Sequence, residues 1–278
     1  MAHCIVKEAE EILDKTFPVL DHGFVRLVDY LGGDSRIVQA ARVSYGDGTK
    51  TVREDAALID YLLRNDHTSP FEQVILTFHI KMPIFVARQW VRHRTARLNE
   101  VSGRYSVMRN EAYLPNAHAL GYQSKNNKQG RTNERLPDEL AEKTISILAD
   151  GQQQAFKNYE TLLNDNIAKE LARINLPLAT YTEIYWQMDL HNLFRFLKLR
   201  CDAHAQKEIR DYAFAILSIV EKVAPLATDS FKSHILNSMI FSDKEVLALK
   251  HMLEGKPTEL NEREKEQLAE KLDSVSDN

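Results

Sequence analysis

The chain has 278 residues, of which 44% are hydrophobic and 27% are charged. That length can bury a sizeable core in one large domain or two small ones without disulfide or metal staples. The formal net charge of −4 argues against a dedicated nucleic-acid binder, and two cysteines without a CxxC pair support neither a disulfide framework nor a zinc ribbon.

The composition also bears on cofactor class and location. The chain has only ten glycines, about half the number expected from average usage, and none forms a GxGxxG or GxxxxGK[ST] motif. A Rossmann or P-loop nucleotide site is therefore not expected. Acids stand where a signal peptide needs an apolar run, and the longest nearly apolar stretch, 213–220, is far shorter than the ~20 residues that span a bilayer. We expect a cytoplasmic protein.

Charge is distributed unevenly along the chain. Residues 243–278 hold ten acids and six bases, so this tail supplies the whole net charge. The window 88–109 carries six arginines, one acid and no lysine. Because arginine suits bidentate phosphate recognition, this window predicts a phosphate- or nucleotide-type anion site. A solvated amphipathic helix stays open as the alternative.

Hydrophobic periodicity predicts the elements in chain order. We expect a helix at 5–15, a strand at 24–31, helices at 35–43 and 56–64, an alternating strand at 74–82 and, after Pro83, a helix at 84–96. A polar surface loop at 121–137 precedes a long helix at 138–163, a strand at 178–188, a helix after Asp189, a helix at 205–223 and two peripheral helices in the acidic tail. Asp34 or Ser35, and later Asp189, are the expected helix caps. These elements predict an α+β fold, a single domain with a mainly antiparallel sheet packed against long helices.

The most informative motif runs from Arg92 to Tyr105. It reads RHR-x7-S, and the longer pattern RHRxxSxNxxSxRY matches throughout except that Arg97 stands at the first serine. This pattern resembles the signature of the flavin-dependent thymidylate synthases. Further stretches agree in order, namely ARVS at 41–44, HTSPFE at 67–72, Arg173 before LPL, and Leu199-Arg200 before DAHAQKEI. The resemblance covers about residues 23–225.

The resemblance implies methylation of deoxyuridine monophosphate (dUMP) to deoxythymidine monophosphate (dTMP). The methylene would come from methylenetetrahydrofolate, and FAD, reduced by NADPH, would supply the hydride. We expect a catalytic domain over 1–242 with a short N-terminal helical extension, and an acidic helical extension at 243–278 that is not a separate domain. The resemblance also implies a homotetramer with shared active sites and small-molecule partners. No nucleic acid, membrane or metal partner is expected.

Residues of this chain at matching motif positions are expected to have the roles of the family's site residues. The resemblance places the dUMP pocket at Gln89, Trp90, Val91, Arg92, Glu100, Val101, Ser102, Gly103, Arg104, Arg173 and Arg200. It places FAD contacts at Ser69, Arg92, His93, Arg94, Glu100, Asp189, Leu190, His191 and Arg195. Arg200 is the predicted catalytic residue, because a fixed guanidinium against the uracil ring stabilises the negative charge that develops there.

No enzyme nucleophile is expected. Cys4 and Cys201 are interpreted as structural thiols. Ser102 has no GxSxG elbow and no identifiable base, so it is interpreted as a hydroxyl that bonds to the substrate.

Two other functions account for parts of the sequence. A nucleic-acid-binding module built on 88–113 would bind long DNA or RNA with a steep salt dependence. The net charge and the absence of lysine from the arginine-rich window oppose it. A non-catalytic flavoprotein scaffold with the same fold is supported only by Arg97 and the acidic tail.

Overall fold

The computed structural model describes residues 4–43, 52–125 and 128–273, with backbone alone at 52–54. Ser44 of the ARVS stretch, residues 126–127 of the predicted loop and residues 274–278 of the tail lie outside these ranges. The chain forms two compact units, 1–231 and 232–278.

The first unit is built around a five-stranded antiparallel sheet in the order β1-β2-β3-β5-β4. Its strands are β1 (Thr16–Val19), β2 (Gly23–Leu31), β3 (Ile75–Pro83), β4 (Arg97–Glu100) and β5 (Tyr181–Asp189). The central strand β3 pairs with β5 along its whole length. The predicted alternation is confirmed, because one side of this segment is fully buried, namely Val74, Leu76, Phe78, Ile80 and Met82. That side of the sheet faces the core.

Helices of the first unit surround this sheet. They are α1 (Lys7–Glu10), α2 (Asp34–Arg42), α3 (Val52–Arg64), α4 (Ile84–Trp90), α5 (Asp138–Asn164), α6 (Lys169–Ala172), α7 (Leu190–Arg200), α8 (Lys207–Val223) and α9 (Pro225–Phe231). Short 3₁₀ turns lie at Phe71–Gln73, Ala117–Ala119 and Arg173–Asn175. Across the described ranges, no helix is long and apolar enough to cross a bilayer.

An aromatic cluster joins three of these helices to the sheet. Trp90 of α4 lies 4.6 Å from Phe196 of α7 and 5.2 Å from Trp186 of β5, ring centre to ring centre. Tyr212 of α8 meets Trp90 edge-on at 6.1 Å and donates its hydroxyl to the carbonyl of Lys81 at 2.7 Å. The helices and the antiparallel sheet therefore share one core, and the predicted α+β fold is confirmed.

The predicted helix at 84–96 is too long. It ends at Trp90, and residues 97–100 form β4, which pairs with β5 from Arg97 opposite Gln187 to Glu100 opposite Ile184. Pairing with a strand some 90 residues away decides this segment, and local periodicity does not reveal such a partner. Arg92, His93 and Arg94 therefore lie on a turn between a helix and an edge strand.

The N-terminal prediction is also partly wrong. The helix expected at 5–15 spans only Lys7–Glu10, because Asp14 adopts a left-handed backbone conformation with φ 58° and the chain then enters β1. β1 itself was not predicted.

Asp34 caps a different helix from the one expected. The N-cap of α2 is Gly33, whereas the Asp34 carboxylate accepts hydrogen bonds from the N–H groups of Leu226 and Ala227 at 2.8 and 3.0 Å. Asp34 therefore satisfies two backbone N–H groups at the start of α9. The hydroxyl of Ser35 meets the Cys4 thiol at 3.0 Å and does not cap α2 either.

The second unit confirms the two tail helices. A π-helical turn at Lys232–Leu236 precedes α10 (Asp243–Leu253) and α11 (Glu262–Asp273). Ser242 and Glu245 form a reciprocal capping box at the start of α10. A small apolar cluster of Ala248, Leu260 and Leu268 lies within this unit. The division at residue 242, and the tail as an extension and not a domain, stay predictions.

Candidate active site

Several predicted site arginines lack an intramolecular partner. Within the described ranges, the side chains of Arg92, Arg94, Arg173 and Arg195, and of Arg88 in the same arginine-rich window, are exposed and make no hydrogen bond or ion pair. A hydrated guanidinium needs no partner, yet several of them on one short segment make an electropositive surface. Three of the five fall between residues 88 and 94, which favours an anionic ligand there.

Arg200 is the last residue of α7, and its side chain contacts the end of α4 and the turn that follows it. Its Nε donates to Nε2 of His93 at 3.0 Å, and its Nη2 donates to the main-chain carbonyl of Gln89 at 3.1 Å. The His93 ring also packs edge-on against Phe196 at 4.8 Å. Arginine has five N–H groups, so three remain for a ligand. The structure thus brings together Gln89, His93 and Arg200, three predicted site residues.

The Arg200–His93 hydrogen bond fixes the protonation state of the histidine. An arginine only donates, so Nε2 of His93 must carry a lone pair. Burial, with a further contribution from Arg200, lowers the pKa of His93 from 6.5 to about 4. His93 is therefore neutral near pH 7. Burial also lowers the pKa of Arg200, which remains protonated.

A second group of predicted residues meets at the turn after β4. Gly103 is buried, and a Cβ there would lie 2.9 Å from Sδ of Met108 and 3.1 Å from Cδ of Arg173. The absence of a side chain therefore lets this turn approach Arg173. The Ser102 hydroxyl accepts a hydrogen bond from the N–H of Arg104 at 3.3 Å.

Both acidic and basic members of this turn have partners. The Glu100 carboxylate accepts from the Thr182 hydroxyl at 2.7 Å, which ties the end of β4 to β5. Arg104 forms an exposed ion pair with Glu170 at 3.3 Å. Such an exposed pair contributes little to stability and leaves Arg104 able to exchange partners.

A third group lies at the opposite end of α7. The Asp189 carboxylate accepts from the N–H of Asn192 at 2.9 Å, so its predicted role as the cap of α7 is confirmed. The N–H of Leu190 donates to the carbonyl of Val74 at 2.8 Å, which holds this end beside the HTSPFE segment. His191 is half-buried at the same end.

Ser69 of that segment lines an open cavity. The cavity measures about 420 Å³, and its polar walls include Arg36, Gln39 and Gln73. Because α7 has 11 residues, its two ends lie about 15 Å apart. Within one chain, the Ser69–His191 group and the His93–Arg200 group are therefore two separate clusters, one near each end of α7.

Some predicted residues are not available through their side chains. Trp90 and Leu190 are fully buried in the core, main chain included, so contact of either residue with a ligand requires a local shift. Val91 and Val101 are exposed. Arg97, at the position of the usual motif serine, lies on β4 and donates to the side-chain carbonyl of Gln187 at 3.3 Å.

The Cys201 thiol is poorly suited to nucleophilic attack. Cys201 is buried, and burial raises its pKa to about 12, so its thiolate is scarce near pH 7. Over the part of the chain that the structure describes, no group of three histidine, cysteine or acidic side chains is arranged to hold a metal ion.

Sequence reasoning missed two polar residues beside the Arg200 group. Gln206 accepts a hydrogen bond from the Gln89 amide, and Gln206 in turn contacts the buried Glu208. Both belong to the DAHAQKEI stretch, which supported the resemblance without a role for either residue. That stretch was the only available signal.

Comparisons with known proteins identify the family of the chain. Residues 26–226 match the family described as thymidylate synthase complementing protein. The chain is 61% identical to the flavin-dependent thymidylate synthase of Treponema denticola, over 94% of this chain and 98% of that protein. It is 56% identical to the enzyme of the same name from Thermus thermophilus, over 86% of each chain.

Solved structures show the same fold. A UMP/dUMP methylase, PolB from Streptomyces cacaoi, bound with 5-Br UMP, superposes with a TM-score of 0.70 at 30% identity. The match covers 78% of this chain and 97% of PolB. The fold is therefore that of a flavin-dependent, nucleotide-modifying class of enzymes. The chain belongs to the flavin-dependent thymidylate synthase family.

The residues present fit the FAD that this family uses. Arg92, Arg94 and Arg195 are exposed, unpaired guanidinium groups suited to a pyrophosphate. The neutral imidazole of His93 and the hydroxyl of Ser69 are uncharged polar groups suited to ribose or flavin edges.

Proposed function

We propose that the protein methylates dUMP to dTMP, with methylenetetrahydrofolate as the carbon donor and without an enzyme nucleophile. FAD, reduced by NADPH, supplies the hydride for this reaction. The observation that supports this proposal most strongly is the position of the Arg200 guanidinium. It donates to His93 and to the Gln89 carbonyl, and three of its N–H groups remain for a ligand. Membership of an enzyme family of this name favours this function over the nucleic-acid module and the inactive scaffold.

Arg200 has the chemistry that uracil activation requires. Addition of a carbon at C5 needs an electron-rich, enolate-like ring, and a fixed cation favours it by stabilising negative charge at N3 and the adjacent carbonyl. Two hydrogen bonds restrain Arg200 before the substrate binds, so less ordering is required during the reaction. The high pKa of Cys201 supports a route without a covalent thiol adduct.

The remaining predicted residues divide between the two ligands. We assign the dUMP phosphate and sugar to the segment 100–104 with Arg92 and Arg173, and we keep Gln89, Trp90 and Val91 on the same ligand. We assign FAD to Ser69, to Arg92, His93, Arg94 and Glu100, and to Asp189, Leu190, His191 and Arg195.

We also propose a cytoplasmic homotetramer whose sites are completed by neighbouring chains. Support comes from α5, which leaves large apolar side chains exposed, with Ile147 62% and Leu148 39% accessible. The edge strand β4 is exposed at every residue. A second copy that covers these surfaces removes apolar area from water and brings the separated clusters of two chains together.

Two measurements test the proposed function. The purified protein, reconstituted with FAD, should show the visible absorbance of a bound flavin. With dUMP, methylenetetrahydrofolate and NADPH it should form dTMP, and omission of any one should stop the reaction. A protein that cannot be loaded with FAD, or a loaded protein that forms no dTMP, contradicts the proposal.

The shared-site proposal has its own test. Dilution that dissociates the assembly, followed by light scattering, should release FAD in parallel. A monomer that retains FAD would show that one chain is sufficient.

A further inference from the structure

A chain of polar side chains reaches Gln89 from the buried start of α8. Nε2 of Gln89 donates to Oε1 of Gln206, and Nε2 of Gln206 donates to Oε2 of Glu208 at 2.8 Å. Gln206 is the N-cap position of α8, but its side chain makes no capping hydrogen bond. Its amide instead bridges Gln89 and Glu208.

Glu208 is a fixed acceptor at the base of this chain. Its side chain is 3% exposed, and its Oε1 accepts from Nη2 of Arg131 at 2.9 Å and from the Tyr113 hydroxyl at 3.2 Å. Burial by itself raises the pKa of Glu208, but Arg131 and the hydrogen bonds outweigh burial and leave the pKa below its ordinary value. Glu208 is therefore an anion that can only accept.

An acceptor at the base determines both amide orientations. Because the Glu208 carboxylate cannot donate, Gln206 must turn its NH₂ group toward Glu208 and its carbonyl oxygen toward Gln89. That oxygen in turn requires the NH₂ group of Gln89. Gln89 is left with its own carbonyl oxygen and one N–H for any further partner.

Gln89 is held at both its main chain and its side chain. Its main-chain carbonyl accepts from Arg200, while its side-chain amide is held by Gln206. The residue thus lies between the proposed catalytic arginine and the buried carboxylate. A ligand group bound to Gln89 is therefore placed relative to Arg200.

We infer that Gln206 and Glu208 are positioning residues, which orient the Gln89 amide so that dUMP binds in a fixed position relative to Arg200. This inference rests on the proposed function, in which Gln89 contacts dUMP. It adds that Gln206 acts on the substrate solely through Gln89.

A double-mutant cycle on the FAD-loaded enzyme tests this positioning role. KM and kcat for dUMP are measured for Gln89→Ala, Gln206→Ala and the double variant, and the dUMP dissociation constant is measured by titration against the flavin spectrum. Loss of one oriented hydrogen bond predicts a rise in KM of about tenfold for either single variant, with kcat changed less than twofold. The double variant should be no weaker than Gln89→Ala alone.

Matched variants separate positioning from folding. Gln206→Met keeps the side-chain volume without its amide and should reproduce the rise in KM even if Gln206→Ala disturbs the start of α8. Tyr113→Phe removes a hydrogen bond from the other Glu208 oxygen, leaves Gln206 bonded and should keep the wild-type KM. A Gln206→Met enzyme with the wild-type KM overturns the inference, and so does additivity in the cycle.

Failure of the proposed pocket gives a different result. If Gln89→Ala keeps wild-type KM and kcat, Gln89 does not contact dUMP and the pocket assignment falls with the inference. If Gln89→Ala raises KM while both Gln206 variants do not, the pocket stands and only the positioning role is overturned.

Discussion

Replacement of Gly103 by alanine tests the contact between the motif turn and Arg173. The added Cβ would lie 2.9 Å from Sδ of Met108 and 3.1 Å from Cδ of Arg173, so both side chains must shift. Gly103 is not among the positive-φ glycines of the described chain, so the effect comes from contact and not from backbone strain. Both contacts are with flexible side chains, so the overpacking should cost about 1 kcal/mol, at the low end of its usual range. Displacement of Arg173 from the phosphate should raise KM for dUMP about tenfold, which corresponds to about 1.4 kcal/mol of binding free energy.

The assay combines dUMP kinetics of the loaded enzyme with thermal unfolding. Gly151→Ala is the control for the added methyl group, because a Cβ there meets nothing within 4 Å in this chain and Gly151 lies inside the 27-residue α5. Since we propose that a second copy covers the exposed side of α5, light scattering must show the same assembly for this variant and the wild type. That control should stabilise the protein by about 1 kcal/mol and leave KM unchanged. A Gly103→Ala enzyme with wild-type KM would refute the reasoning that the close approach at Gly103 positions Arg173 for dUMP.

Two further predictions concern stability and pH. Asp34→Ala removes the acceptor for two N–H groups of α9 and should lower the free energy of unfolding by about 1–2 kcal/mol in urea titrations; an unchanged midpoint would contradict this role. Since the pKa of His93 falls from 6.5 to about 4 on folding, the stability linked to neutral His93 is full above pH 6.5 and is lost as pH falls through 4. His93→Gln keeps an acceptor that does not titrate, so its free energy of unfolding should fall less between pH 7 and 4.5 than that of the wild type, and an equal fall in both proteins opposes this linkage.

Elements with strong local signals could be predicted from the sequence. The period of two at residues 74–82 identifies the central strand and its buried side, and Asp189 before an apolar helix identifies the cap of α7. The 27-residue α5 was predicted within one residue at its C-terminal end. In these segments local preference and tertiary packing favour the same structure.

Features that depend on distant partners could not be predicted in this way. The end of α4 at Trp90 is set by the pairing of β4 with β5, and Asp34 binds a helix that begins about 190 residues later. The motif resemblance named His93 and Arg200 separately, 107 residues apart, but not their hydrogen bond. The Gln206–Glu208 pair had no periodicity or charge cluster to mark it.

The most direct test of the central claim is the rate of dTMP formation by two FAD-loaded variants, Arg200→Ala and Cys201→Ser. The Cys201→Ser enzyme should turn over close to the wild-type rate. Arg200→Ala should keep its flavin absorbance and lose turnover by about 100-fold or more, because a fixed electrostatic donor to the uracil ring is gone. The opposite pattern, an active Arg200→Ala enzyme or an inactive Cys201→Ser enzyme that still binds FAD and dUMP, would contradict activation of uracil by Arg200 without an enzyme nucleophile.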